Sequence, residues 1–238
     1  MKISMKTNNL LCMGMVLLCL AACKKDNAVI EPEDQLELLR DSASYCINGS
    51  RYNALAIEKN MTFTTQSNLR ITSGPTFNYL LQGDKDSTLF VREYSIKASF
   101  TNIAVSFIKI YNNNQTEFTN ENNGGSLNYP QDKTDIFSPG IYRYSTEFMR
   151  SNSTPGIAFT VINRDGIFTS YSQSDLGKPA SVTQADQNGS KFEIISLKKR
   201  KSDYLLEARF TVNTFGENKK SLRLENGYLR MSVLKQNQ

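Results

Sequence analysis

The sequence predicts an all-β fold, an antiparallel β-sandwich, and three features carry that expectation. From Ser44 onward apolar residues alternate with polar ones, and no helical period persists for three turns. Asn-Gly and other turn-forming pairs recur between the apolar stretches. The stretches are short and number about ten, as two packed sheets or one closed barrel would need. Uneven strand lengths and long polar loops favour the sandwich, with a closed lipocalin-like β-barrel as the alternative.

The chain opens with a leader. Lys2 and Lys6 precede an apolar run from Leu10 to Leu20, closed by Leu20-Ala21-Ala22-Cys23 and followed by Lys24-Lys25-Asp26. A charged start, a short apolar core and small residues before a cut make residues 1–22 a secretory signal peptide. The run is too short to cross a bilayer as a helix. Leu-Ala-Ala-Cys resembles the lipobox of bacterial lipoproteins, which implies cleavage between Ala22 and Cys23 and lipidation of Cys23. A diacylglyceryl thioether and an amide-linked acyl chain would then anchor the protein, where a single chain binds only marginally. In such proteins an aspartate after the cysteine retains the molecule in the inner membrane. Lys24 stands there, so the resemblance implies the outer membrane, on either leaflet.

Residues 23–43 read as a lipidated acidic tether, crowded by Asp26, Glu31, Glu33, Asp34, Glu37 and Asp41. Pro32 begins a short helical piece over 33–40, with acids first and Arg40 last, as a helix prefers. Residues 44–238 form the single β-rich domain. Its cleanest strand is 204–212, with Leu206, Ala208, Phe210 and Val212 on one face and Glu207, Arg209 and Thr211 on the other. Asn226-Gly227 predicts a type I′ hairpin pairing Leu224 with Leu229 and Leu222 with Met231. Asn48-Gly49 pairs Tyr45 with Tyr52 by the same rule. Arg164-Asp165-Gly166 reads as a three-residue loop that sets Ile162 against Phe168 and Phe159 against Tyr171. Further strands are expected at 55–61, 69–71, 77–81, 89–100, 103–111, 141–145, 157–162 and 192–197. The polar segment 112–128, with Gly124-Gly125 and the lone aromatic Phe118, reads as a disordered loop.

The mature chain resembles the small, largely uncharacterised lipoproteins abundant in Bacteroidota. Carrying that resemblance are Cys23-Lys24-Lys25-Asp26, Ile47-Asn48-Gly49 followed by Tyr52, Ser138-Pro139-Gly140-Ile141-Tyr142, and Glu225-Asn226-Gly227-Tyr228. The family has no established activity to transfer.

Composition excludes more than it proves. The chain has no histidine, so Ser-His-Asp and Cys-His hydrolysis, histidine zinc sites and histidine acid–base chemistry are all missing. Carboxylate or lysine chemistry and all-oxygen calcium sites survive. No tryptophan offers a stacking face for sugars, although eleven tyrosines can substitute. The net charge of +5 falls further once Lys2 and Lys6 leave with the leader, so no nucleic-acid partner is implied. Of four cysteines only Cys46 remains free in the lipidated protein, which therefore has no internal disulfide and relies on packing. Cys46 is expected to behave as a small buried hydrophobe.

Candidate sites are few. Lys198-Lys199-Arg200-Lys201 should form an exposed hairpin loop, either touching anionic lipid phosphates or guarding a sheet edge against aggregation. Asp84-Lys85-Asp86-Ser87 and Asp186-Gln187-Asn188-Gly189 echo calcium loops without the downstream acid, and read as turns. No spacing singles out a glycosidase pair among Glu93, Glu117, Glu147, Asp165, Glu193 and Glu207. Ser42 and Ser87 resemble periplasmic O-glycosylation acceptors of Bacteroidota, each following an aspartate and preceding a small residue. No cofactor or metal is called for. The expected function is a non-enzymatic binding or structural module of the cell envelope, anchored to the membrane by lipid, with an envelope protein or glycan as partner. A carboxylate-dependent glycan hydrolase, a fimbrial-type subunit and a lipocalin-like carrier are the alternatives.

Overall fold

The computed structural model describes residues 32–72, 80–120, 126–150, 153–173, 179–217 and 220–234. The leader, Ala22, Cys23, Gly124-Gly125 and the tail 235–238 lie outside them, as does most of the strand expected at 77–81. The chain divides into two compact units after Leu38. In the first, the described element is the helix α1 (Pro32–Leu38), which stops short of Arg40 and has no basic residue in its last turn.

The named strands of the second unit all pair antiparallel. Its strands are β1 (Ser42–Ile47), β2 (Ser50–Asn53), β3 (Ala56–Thr72), β4 (Leu80–Ala98), β5 (Thr101–Asn112), β6 (Thr116–Asn120), β7 (Ser126–Pro130), β8 (Gly140–Tyr142), β9 (Gly156–Asn163), β10 (Gly166–Thr169), β11 (Lys191–Lys199), β12 (Tyr204–Phe215) and β13 (Ser221–Val233). Eleven of them form one hydrogen-bonded system, with β6–β7 a separate hairpin. That system folds at β12 into two leaves. One leaf runs β2-β1-β13-β12-β11-β8, and the other runs β10-β9-β5-β4-β3. They join through the pair Thr169↔Phe215. A second link is parallel, where Ile157 N–H donates to Arg143 O and Ser145 N–H donates to Ile157 O.

Aromatic rings fill the space between the leaves. Phe159 of β9 lies 5.1 Å from Phe210 of β12, and Phe107 of β5 lies 5.8 Å from Phe192 of β11. The short turn Asp135–Phe137 inserts Phe137 beside Phe107 at 5.1 Å. Tyr144 is buried, and its hydroxyl donates to Thr211 O at 2.9 Å. Burial pushes that phenol's pKa well above its ordinary value. The interior is thus packed with rings. A smaller cluster of Leu89, Val91, Ile108, Phe148 and Ala158 covers the outer side of the second leaf.

Strand 204–212 is found as expected, with Leu206, Ala208, Phe210 and Val212 buried. The Asn48-Gly49 turn is also found. Both residues have positive φ, Tyr45 pairs with Tyr52, and their rings stack at 5.4 Å. Asn226-Gly227 is not a hairpin. β13 runs straight through it, and the two residues Glu225 and Asn226 oppose Thr211 alone, between Phe210↔Gly227 and Val212↔Leu224. This is a β-bulge, with Asn226 at φ 51°. β13 instead follows β12 directly, and Gly216 N–H donates to Lys220 O where the two strands meet. One extra residue shifts side-chain parity just as a two-residue turn would, so Leu222, Leu224, Leu229 and Met231 are all buried in either case.

Four other expectations are corrected. Arg164-Asp165 is a two-residue loop, so Ile162 meets Ile167 and Val161 meets Phe168. That register buries Val161 and Phe168 and leaves the two isoleucines outside. The described residues of 112–128 do not form a disordered loop, because β6 pairs with β7 and Tyr129 packs against Phe90 at 5.7 Å. Asp84–Ser87 lies within β4 instead of a turn. Cys46 sits half-exposed on the outer face of β1, because Ala43, Tyr45 and Ile47 take the inner one.

Candidate functional site

Several predicted site residues prove to be structural. Arg200 is no part of an exposed basic patch. Its side chain is 7% exposed and that of Asp203 5%, and the two make a bidentate pair at 2.5 and 2.7 Å. Arg200 Nη1 also donates to Leu39 O, and Nη2 to Ser232 Oγ. A planar guanidinium suits such a fork, and an ammonium would not. Lys198 and Lys199 at the end of β11 and Lys201 on the turn remain exposed. Ser87 is only 5% exposed inside β4, where a glycosyltransferase cannot reach it in the folded domain. Ser42 is half-buried at the start of β1, paired with Arg230, and so belongs to the sheet and not the tether.

Glu117 is exposed on β6, and the other five candidate carboxylates are occupied by neighbours. Glu93 accepts from Ser106 Oγ at 2.9 Å, Glu147 pairs with Arg150 at 2.8 Å, and Asp165 lies 3.8 Å from Lys220. Glu207 accepts from the Tyr228 hydroxyl at 2.7 Å and from Ser196 at 3.0 Å. Those bonds, Tyr228 first, hold its pKa below the ordinary value. The Lys191 ammonium does the same to Glu193 at 2.7 Å. A glycosidase general acid needs its carboxyl pushed upward, the opposite direction. Asp186 accepts from the Thr183 N–H and hydroxyl, both at 2.7 Å, which is turn chemistry. Beside it Gln187 donates to Ser170 O and Asn213 O, tying this turn to β12. Among the described residues no three Cys, Asp or Glu side chains gather as metal ligands.

The sequence reading missed a cleft at the end of the sandwich where hairpin turns converge. The β1–β2, β4–β5 and β9–β10 turns and the start of β13 enclose about 390 Å³. Tyr52, Phe100, Asn48, Asn163, Arg164 and Asp165 are the side chains that give it chemistry. Phe100 is the second residue of a two-residue turn, between Ala98 and Thr101. It has φ 64° and is 71% exposed. A left-handed backbone costs a bulky L-residue roughly 1–2 kcal/mol, and glycine or asparagine would spare it. The Arg164 guanidinium lies 4.1 Å from the Phe100 ring centre, a cation–π contact. Asp165 N–H donates to Asn163 Oδ1, which fixes the neighbouring turn. Tyr52 is backed by Tyr45, whose phenol burial pushes up to about 12. Rigid strands thus present two aromatic rings, a guanidinium, a carboxylate and two amides at one cleft. The sequence signal for it was a bulky residue where the turn between two strands needs glycine, visible only once the register is known.

A second groove of about 470 Å³ lies over the bulge, bordered by Lys191, Glu193, Arg209 and Tyr228. Its charges are largely paired, since Lys191 bonds Glu193 and Tyr228 bonds Glu207. Comparison with protein-family models, curated proteins and solved structures finds no match to this chain.

Proposed function

We propose that the chain is a lipid-anchored, non-enzymatic binding module of the cell envelope whose turn-end cleft takes a glycan. The observation that carries this reading is Phe100, exposed at the cleft mouth in a backbone conformation that costs stability. Strain held at a surface aromatic marks function more often than packing, because nothing in the core needs that ring. Aromatic faces take the apolar faces of sugar rings, and Asn48, Asn163, Arg164 and Asp165 supply donors and acceptors for hydroxyls. The lipobox supports the envelope location, with Cys23 as the lipidated residue. A carrier role of the lipocalin kind would need a large apolar cavity, whereas among the described residues the space between the leaves holds packed aromatic and aliphatic side chains. A donated strand would need a free end, whereas β13 is flanked by both β1 and β12.

Titration of the full chain in detergent with outer-membrane polysaccharide fractions tests the cleft. Phe100→Gly removes the ring and the strain together, so the fold should be as stable as before to within about 1 kcal/mol. Binding should fall about tenfold or more, as loss of an aromatic face entails. Equal binding by Phe100→Gly, or none by the parent chain, refutes the glycan reading. Acyl labelling tests the anchor separately, since Cys23→Ala should abolish it.

A further inference from the structure

Strand β4 turns Phe90, Tyr94 and Ile96 into the main core, and Arg92 occupies the same inward face between them. Arg92 is 4% exposed. Its Nε is shut off from solvent without a hydrogen-bond partner. The neighbouring Tyr94 hydroxyl is buried and unpaired as well. A guanidinium nitrogen left without a partner in a core is expensive, and a hydrophobic residue of its size would ordinarily pack better there.

Both orphaned groups border one small cavity of about 90 Å³, closed by Asp41, Ile57, Lys59, Ser232 and Leu234. It lies where β13 and the residue leading into β1 face β3 and β4. Arginine has only donors to offer, and the Tyr94 hydroxyl needs an acceptor too if it is to donate. Asp41 faces the same space but is already engaged, its Oδ1 accepting from the Ser232 N–H and hydroxyl, both at 2.8 Å. With Lys59 and Arg92 against Asp41, the lining carries one net positive charge. Asp41 is the one acidic side chain of the lining, and neither Arg92 Nε nor the Tyr94 hydroxyl has an acceptor from it. The volume holds a few atoms and excludes any sugar or lipid headgroup as a whole.

We propose that this cavity binds a small oxyanion of phosphate size, held by the Arg92 guanidinium and the Tyr94 hydroxyl. The anion supplies the acceptor that Arg92 Nε and the Tyr94 hydroxyl lack, and it bridges β4 of one leaf to β13 of the other. It is independent of the turn-end cleft, which shares no lining residue with it.

The probe is inorganic phosphate, exchanged for chloride at constant ionic strength with the full chain in detergent. The melting midpoint should climb with the logarithm of phosphate concentration once the site begins to fill. Arg92→Met, which substitutes an apolar chain for the buried charge, should fold and lose that climb. Asp41→Asn removes the one opposing charge and should tighten phosphate about tenfold. A midpoint indifferent to phosphate leaves the cavity to water and overturns the proposal. So does an equal climb in Arg92→Met, which would be a general salt effect. Should Arg92→Met fail to fold, Asp41→Asn decides, because unchanged affinity there places the phosphate elsewhere.

Discussion

At the scale of single residues, Gly227 shows how one observation can be read for the wrong reason. Asn-Gly invites a turn in which glycine supplies positive φ. Here it is Asn226 that takes the left-handed conformation, and Gly227 is needed for space. A Cβ on Gly227 would stand 2.4 Å from the Phe210 ring. Gly227→Ala should therefore cost about 1–3 kcal/mol through overpacking in urea melts. Glu225→Ala, exposed and paired only with Arg223, should cost under about 1 kcal/mol. Shrinking the ring should rescue the first variant, so Gly227→Ala with Phe210→Leu should lose less than the two single losses added together. Simple additivity would mean the ring is not the obstacle.

Glu207 offers a residue-scale test in pH. Its folded pKa lies below the ordinary 4.5, chiefly through the Tyr228 hydroxyl. The stability this gives is complete above the unfolded value and is lost as pH falls through the folded one. Tyr228→Phe should thus destabilise at neutral pH, and the deficit against the parent should shrink as pH drops below 4.5. A deficit that stays constant would assign the loss to packing instead.

At the scale of elements, what was legible was burial, and what was not was partnership. Alternation told correctly which residues of 204–212 and 221–233 face the core, because parity is local to a strand. It left open whether parity changes at a turn or at a bulge, because both insert the same half-step. The Arg164-Asp165 loop failed by one residue for a related reason. Ile162 was set against Phe168, yet the shorter loop pairs it with Ile167 and leaves both on the outer face. In 112–128 the asparagines hid two short strands that the backbone pairing reveals. The cleft was invisible because its residues come from turns far apart in sequence. The bulge itself is testable. Deleting Asn226 forces either Leu222 and Leu224 or Leu229 and Met231 outward, a loss of roughly 3–6 kcal/mol at 1.5–3 per side chain. Circular dichroism should then show far more unfolding than Gly227→Ala causes. Equal stability of the two variants would mean the bulge does not set the register.

At the scale of the whole molecule, the two leaves share few backbone links, so their union rests on side chains. The hydrogen-bonded join is Thr169↔Phe215, supported by the parallel contact at Ile157. Phe192 stands at the centre of what remains, within 5.8 to 6.4 Å of Phe107, Phe159, Phe210 and Tyr142. It belongs to one leaf, and Phe107 and Phe159 belong to the other. If this shared aromatic core makes the domain one cooperative unit, Phe192→Ala should lower stability by about 3–5 kcal/mol. It should do so without splitting the transition. Tyrosine emission is a clean probe here because the chain has no tryptophan, and the phenols of Tyr45, Tyr94, Tyr144 and Tyr171 are distributed over both leaves or the link between them. Unfolding of the parent and of Phe192→Ala, followed by tyrosine emission and by far-ultraviolet circular dichroism, should give coincident curves. Curves that separate in Phe192→Ala would show that each leaf keeps a core of its own, and the aromatic contact between them would then be an interface and not the centre of the fold.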